Sequence, residues 1–321
     1  MAVPAVASFP RLGSAADGGE IYDLKPFGNA RVLYMADTPA QLLPLYFREP
    51  SVNIGAGSVR GRLLHLVGDG FLKKFGIAPD SAEAYAFTFL DFEAQAGRRG
   101  KVGGFAHLKT LVDMLRSAVP SGRSLLLDGG DLWQSGGLAN FSKGADMVEA
   151  ANRLGIEAMT GHFEFTYGEE ALRRNLGNFK GKLRSTMPRL SIPRLVAYSS
   201  LTSSRKMGDF RVAVVGQAFP YVPIAHPERF VPDWTFGIRD DELQKVVDRL
   251  RQTEKVDAVV LLSHNCMDVD LKLAGRVTGI DIILDGHTHD AKPQPVSVAN
   301  AGDKMIVSNT GWNGKFLAVL D

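Results

Sequence analysis

The sequence predicts an α/β layered fold, and three observations carry the expectation. Strand-like and helix-like segments alternate along nearly the whole chain; the strand-like ones are almost continuously apolar; and no internal repeat breaks the alternation. Taken in order, "ARVLYMA" (30–36) reads as a buried strand stopped by the polar break "DTP". "GGFAHLKTLVDMLRSA" (103–118) spaces its apolar residues as one face of a helix, with Gly103 and Gly104 just ahead of it. "SLLLDGGD" (124–131) is a short apolar strand running into glycines, and "KGADMVEAANRLG" (143–155) is a helix closed by Gly155. "IEAMTGHFEF" (156–165) reads as a strand that ends in a glycine-bearing turn.

The second half repeats the style. "FRVAVVGQAF" (210–219) is a strand, and "RDDELQKVVDRLRQ" (239–252) is an amphipathic helix with acids in its first turn, the end of a helix that favours negative charge. "VDAVVLLSHN" (256–265) is a fully buried strand, "DVDLKLAGRV" (268–277) a short helix and "GIDIILDGHTH" (279–289) a further strand. "KMIVSNTG" and "GKFLAVLD" read as two closing strands paired through "WN". The Pro- and Ser-rich stretch "LRSTMPRLSIPRLVAYSSLTSSRK" (183–206) resists assignment, and the apolar ending "FLAVLD" raises the expectation of a further C-terminal portion.

Composition narrows the function classes. The 321 residues are 45% hydrophobic and 22% charged, enough for a large core in one big or two medium domains. A net charge of +2 without a basic or acidic block gives no reason to expect nucleic acid or an anionic membrane as partner. No apolar run approaches the roughly 20 residues that span a bilayer. The leader "MAVPAVASFPRLGSAADGG" lacks a basic start and a proper apolar segment, so residues 1–29 read as a flexible leader or linker, at most a signal-peptide remnant. Cys266 is the single cysteine, which excludes an intrachain disulfide and a thiol-rich metal site; any metal falls to His, Asp, Glu or Asn, a set that suits Mn, Zn, Fe or Mg.

The polar residues directly behind the apolar strands are Asp37, Asp131, His162, His264, and His287 with His289. In a layered α/β fold such positions gather at one sheet edge. Two divalent cations about 3.5–4 Å apart need a bridging carboxylate with neutral imidazoles around it. His287 and His289, two apart on an extended segment, would point the same way and face one cluster together. A lone histidine behind a strand is ordinarily just hydrogen-bonded or solvated. The metal reading rests on coincidence: four of the seven histidines stand at strand ends beside glycine or a small polar residue. His65, His107 and His226 take the ordinary reading.

In this order, Asp37, "GGD", "GH-x-E-F-x-Y-G", "SHN" and "GHTH" resemble the calcineurin-like metallophosphoesterases, in particular their 5′-nucleotidase branch, which reads D-x-H, G-D, G-N-H-E-F, a lone His and G-H-x-H. "AQLLPLYFREPSVNIG", "GHFEFTYG", "PDWTFGIR", "SHNCMDVDLKLAGRV" and "NGKFLAVLD" resemble the SoxB thiosulfohydrolase family more specifically, from about residue 20 onward. The resemblance implies a four-layer α-β-β-α sandwich over 30–321, two Mn2+ ions, a periplasmic location, and a C-terminal substrate domain beyond this chain. It implies Asp131 as the carboxylate bridging both metals, Asp37 and His289 on the first, and His162, His264 and His287 on the second.

The departures matter for chemistry. Phe163 stands where nucleotidases have a catalytic His, and Thr166 where they have its supporting Asp; both argue against efficient nucleotide hydrolysis. Pro39 stands where the family has a ligand His, and proline offers no donor atom. Cys266 stands where the family pattern has Gly, and reads as a small buried residue. The activity implied is release of sulfate from a thiosulfonate on a cysteine of a SoxYZ-type carrier, by a monomer, with Asp131, His162 and Arg48 as candidate catalytic residues. The alternatives are a 5′-nucleotidase-like phosphoesterase and a catalytically impaired carrier-binding module, the latter because of Pro39.

Overall fold

Alternation at a period of two inside the apolar runs decides how the strands stack. A computed structural model describes residues 24, 26, 28–53, 61–183, 202–230, 232, 234–301 and 303–321. Among these the strands are β1 (Arg31–Met35), β2 (Ser124–Asp128), β3 (Ala158–Met159), β4 (Lys182–Leu183), β5 (Thr202–Met207), β6 (Phe210–Gln217), β7 (Ala258–Ser263), β8 (Ile282–Asp285), β9 (Val296–Asn300), β10 (Asp303–Asn309) and β11 (Ala318–Leu320). They form one sheet in the order β11-β1-β2-β3-β4 and a second in the order β5-β6-β7-β8-β10-β9. β1 to β4 are parallel, as are β6, β7, β8 and β10; β11, β5 and β9 are antiparallel edges.

The central strands split their side chains between two cores. Val32, Tyr34, Leu125 and Leu127 of the first sheet meet Val212, Val214, Val260, Leu262 and Leu284 of the second. The intervening residues Leu33, Met35 and Leu126 turn outward onto Leu108, Val112 and Leu115 of the helix Phe105–Ser117 and onto Met147, Ala151 and Leu154 of the helix Ala145–Leu154. On the far side, Ala213, Val215, Val259, Leu261 and Ile283 pack on Leu243, Val247 and Leu250 of the helix Asp240–Gln252. Burying such an aliphatic side chain is worth roughly 1.5–3 kcal/mol. The result is the expected α-β-β-α sandwich. Arg31, itself fully buried, ties its end of the sandwich through two hydrogen bonds of 2.6 Å to the Asp321 carboxylate and one of 3.0 Å to the Leu115 carbonyl.

Several elements differ from expectation. The strand expected over 156–165 lasts only through Ala158–Met159, because the chain must turn at Gly161 and then enters a 3-10 turn at Phe163–Phe165. The strand expected to carry both histidines ends at Asp285. The closing strands do not pair with each other: β10 joins β8 and β11 joins β1, in different sheets. Of the unassigned stretch 183–206, residues 202–206 begin strand β5 and residues 184–201 lie outside the described residues, as does nearly all of the leader 1–29. Cys266 is not fully buried; it is the N-cap of the helix Met267–Ala274 at φ +90°, a backbone conformation that explains why glycine suits the position. Among the described residues no helix is long and apolar enough to cross a membrane.

Candidate metal centre

Parallel strands deliver their C-terminal ends to one side, and β1, β2, β3, β7 and β8 are followed there by Asp37, Asp131, His162, His264 and His287. The donor atoms of Asp131, His162, His264 and His287 lie within 4.8 Å of one another, and those of Asp37, Asp131 and His289 form a second such group. Asp131 belongs to both. Asp37, Asp131, His162 and His264 are each at most 4% exposed, while the His289 side chain keeps 33%.

The backbone bends unusually to present these atoms. Asp37, Asp131, His287 and His289 all have positive φ, at 51°, 60°, 80° and 59°. Asp and His tolerate this region better than most residues, but it still costs free energy, and such outliers cluster at functional sites. The conformation also corrects the expectation for His287 and His289. They do not share a face of an extended strand; they turn to different groups, His287 to the one with His264 and His289 to the one with Asp37.

Distances support shared coordination. Ligand atoms about 2.1 Å from one ion sit about 3.0–3.4 Å apart at octahedral or tetrahedral angles. His162 Nδ1 is 3.1 Å from Asp131 Oδ1, His264 Nε2 is 3.3 Å from Asp131 Oδ2, and His289 Nε2 is 3.4 Å from Asp37 Oδ1. His287 Nδ1 is buried without a hydrogen-bond partner, which is costly unless an ion or ligand completes it. The donor set of carboxylates and imidazoles fits Mn, Fe or Zn.

A supporting layer orients the donors. His264 Nδ1 approaches the Gly129 carbonyl oxygen at 2.6 Å, which places its proton on Nδ1 and leaves the Nε2 lone pair for the cluster. Both carboxylate oxygens of Asp37 accept the His287 backbone N–H at 3.0 Å. Glu164, fully buried, accepts N–H groups from Leu132 at 2.8 Å, Trp133 at 3.2 Å and Asp131 at 3.4 Å, and from His162 at 2.8 Å. One carboxylate thus clamps two ligand-bearing loops. Gly286 is required where it stands: a Cβ there would lie 3.0 Å from His264 Nδ1 and 3.1 Å from Asp37 Oδ2.

The electrostatics call for a cation. Burial pushes the Asp131 carboxyl up, but the charge of His264 and the hydrogen bond with His162 outweigh it and hold it well below the usual carboxylate range. Burial pulls His264 down, yet the charges of Asp131 and Asp37 push it up to about 10. Burial, then the charge of His264, drives His287 down to about 3, so its ring stays neutral and able to donate a lone pair. The proton His264 retains marks where positive charge is wanted.

Aromatic rings wall the donors. Phe163 stacks on His162 at 4.3 Å between centroids, Phe219 on His287 at 4.1 Å, and Trp312 on His289 at 4.1 Å. His226 departs from its ordinary reading: it is buried, its ring is 5.4 Å from that of His162 and 5.7 Å from that of Phe163, and its Nε2 has no partner. His65 and His107 keep theirs, bonded to Asn53 and to the Gly103 carbonyl. Arg48 is exposed, with its guanidinium 5.3 Å above the Phe89 ring, and is not brought among the donors. Sequence reasoning gave no role to Glu164, Phe219 or Trp312. Glu164 lies inside the "GHFEF" motif, where an acid amid apolar neighbours was the available signal; Phe219 and Trp312 carry none.

No family model matches the chain. The chain is 34% identical to 5′-nucleotidase of Bos taurus over 205 residues, 59% of this chain and 33% of that protein, and 31% identical to the Homo sapiens enzyme over the same length. Among solved structures it is similar to the sulfate thiohydrolase SoxB of Thermus thermophilus, with a TM-score of 0.87 and 36% identity over 94% of this chain and 55% of that one. A 5′-nucleotidase precursor from Thermus thermophilus shares the fold at a TM-score of 0.67 and 23% identity. The chain spans about a third of the curated relatives' length and about half of these structures. In its fold and in this pair of donor groups sharing one aspartate, the chain is similar to, and fits, the calcineurin-like metallophosphoesterase and 5′-nucleotidase superfamily.

Proposed function

We propose that the chain is a two-metal hydrolase that releases sulfate from a thiosulfonate carried on a protein cysteine. The observation that carries this reading over a phosphoesterase is Phe163, whose apolar ring lies against His162 where the nucleotidase pattern has an acid–base histidine. Behind it, Thr166 Oγ1 is buried without a partner where that pattern has the supporting Asp. An alkoxide leaving from a phosphate ester needs a proton. A sulfur anion does not: a thiol's reference pKa is only about 8.5, so it departs unassisted at neutral pH.

When bound, a pair of divalent cations supplies Lewis-acid polarisation and acidification of water. The protein's own residues do the rest. Asp131 reaches both groups and fixes their separation. His264, held by the Gly129 carbonyl, and His287, held neutral by burial, present lone pairs without adding charge. Phe163 and Phe219 pack against His162 and His287 and keep bulk water from that side. Hydrolysis breaks the sulfur–sulfur bond: the water oxygen becomes the fourth oxygen of sulfate, and the carrier keeps the sulfane sulfur. The same reading brings a SoxYZ-type carrier as partner, Mn2+ as the ions, the periplasm as compartment and a monomeric chain. SoxB of Thermus thermophilus, similar at a TM-score of 0.87, is a sulfate thiohydrolase.

A second reading rests on Pro39. The group of Asp37, Asp131 and His289 offers three donors, and a weakly held first ion would leave a carrier-binding module with impaired turnover. Metal-loaded chain is offered a carrier thiosulfonate and a nucleoside monophosphate side by side. Sulfate release with little phosphate is the expected result. Phosphate without sulfate would reinstate the nucleotidase, and carrier retention without either product the binding module.

A further inference from the structure

A cavity of about 220 Å³ opens beside His289, walled by Asn53, Thr288, Asp290, Lys292 and Trp312. It is continuous with the first donor group, because His289 belongs to both. We infer that this cavity is an oxoanion subsite with Lys292 as its charge-bearing group. The inference deepens the hydrolase reading and rests on it only for which oxoanion enters.

The wall offers donors more than free acceptors. Lys292 is 7% exposed, its ammonium 5.9 Å from the Phe71 ring centroid, and its backbone N–H is fixed to the Asn309 carbonyl at 3.1 Å. Trp312 Nε1 is buried without a hydrogen-bond partner, while the Thr288 hydroxyl serves Asp290. The two carboxylates on the wall are engaged: Glu49 with the Lys315 ammonium, and Asp290 Oδ1 with Asn53 Nδ2 at 2.7 Å. Asp290 meets Lys292 as a nearby charge rather than through a direct ion pair among the described residues. A buried ammonium with an unpartnered indole N–H beside it matches the oxygens of a sulfate, sulfonate or phosphate.

The aromatic residues of the wall do not make a base-binding clamp. His289 covers one face of Trp312 at 4.1 Å, and Phe47 meets the same ring edge-on at 4.5 Å. Phe87 is stacked between Phe71 at 5.5 Å and Phe316 at 4.4 Å. With those faces taken by the protein, the polar groups carry recognition. The cation that serves an anion near this centre is therefore Lys292, not the exposed Arg48.

The test is calorimetric titration of the full chain, metal-loaded and chelator-stripped, with sulfate, methanesulfonate and inorganic phosphate separately. The parent is expected to bind one anion beyond any held at the metals, in both forms. Lys292→Met should weaken that site at least about tenfold, and Lys292→Arg should stay within about threefold, with melting curves showing both variants folded. Unchanged binding in folded Lys292→Met, or no saturable binding by the parent at millimolar anion, overturns the subsite while leaving the sulfate-releasing reading intact. Binding of phosphate alone keeps the subsite and counts against that reading; binding of sulfate or methanesulfonate supports both.

Discussion

His264 Nδ1 lies 2.6 Å from the carbonyl oxygen of Gly129, which locks a residue at the end of one sheet to backbone at the end of the other. The contact sets the tautomer and leaves Nε2 directed at Asp131, 3.3 Å away. In the metal-free chain the same ring holds a second proton, and metal must displace it.

Loading metal at pH 7 is therefore expected to release about one proton, read from calorimetry in buffers of different ionisation enthalpy. Affinity should rise about tenfold per pH unit up to roughly pH 10, where His264 loses that proton unaided. The sign for metal-free stability is opposite. A folded value near 10 lies above the ordinary 6.5, so the stabilisation is complete below pH 6.5 and is lost as pH rises through 10. Loading without proton release would show that His264 is not the displaced acid.

Glu164→Gln tests the clamp on the two ligand loops. Its N–H partners come from Leu132, Trp133 and Asp131 on one loop and His162 on the other, and a carboxamide replaces one accepting oxygen with a donor. Stability should fall by about 1–3 kcal/mol and metal affinity by about 10–100-fold, measured by denaturant unfolding and chelator competition. A loss of stability with metal affinity untouched would reduce Glu164 to a structural role.

Pro39→His should supply the missing donor to the group of Asp37, Asp131 and His289. The expected outcome is tighter binding of the more weakly held ion, by at least about tenfold, and a rise in turnover, with the other ion unaffected. An unchanged affinity for both ions would mean that position 39 does not reach the centre.

Phe163→His combined with Thr166→Asp rebuilds the acid–base pair beside His162. Nucleoside monophosphate hydrolysis should rise by at least about tenfold, toward the 10²–10⁴ that general acid catalysis contributes. Sulfate release should change much less, because its leaving group needs no proton. Equal gains on both substrates would contradict that distinction.

The sheets were legible because buried parallel strands read as continuous apolar runs: "RVLYM", "SLLLD" and "AVVLLS" become β1, β2 and β7 with little change. The convergence of Asp37, Asp131, His162, His264, His287 and His289 was legible for a related reason, since they follow such runs. Local backbone geometry was not. The positive φ of His287 and His289, which sends them to different groups, has no trace in "GHTH". Nor could sequence pair the last strands, because β10 and β11 enter different sheets by long-range contacts. His226 was missed for the same reason: only folding brings its ring to 5.4 Å from that of His162.

The sharing of Asp131 by two ions is tested most directly by metal analysis together with electron paramagnetic resonance of Mn2+-loaded parent and Asp131→Asn chains. The expected result is up to two Mn2+ per parent chain with an exchange-coupled spectrum, and collapse of both sites in the variant. Two Mn2+ that are uncoupled in the parent, or both retained in Asp131→Asn, would contradict it.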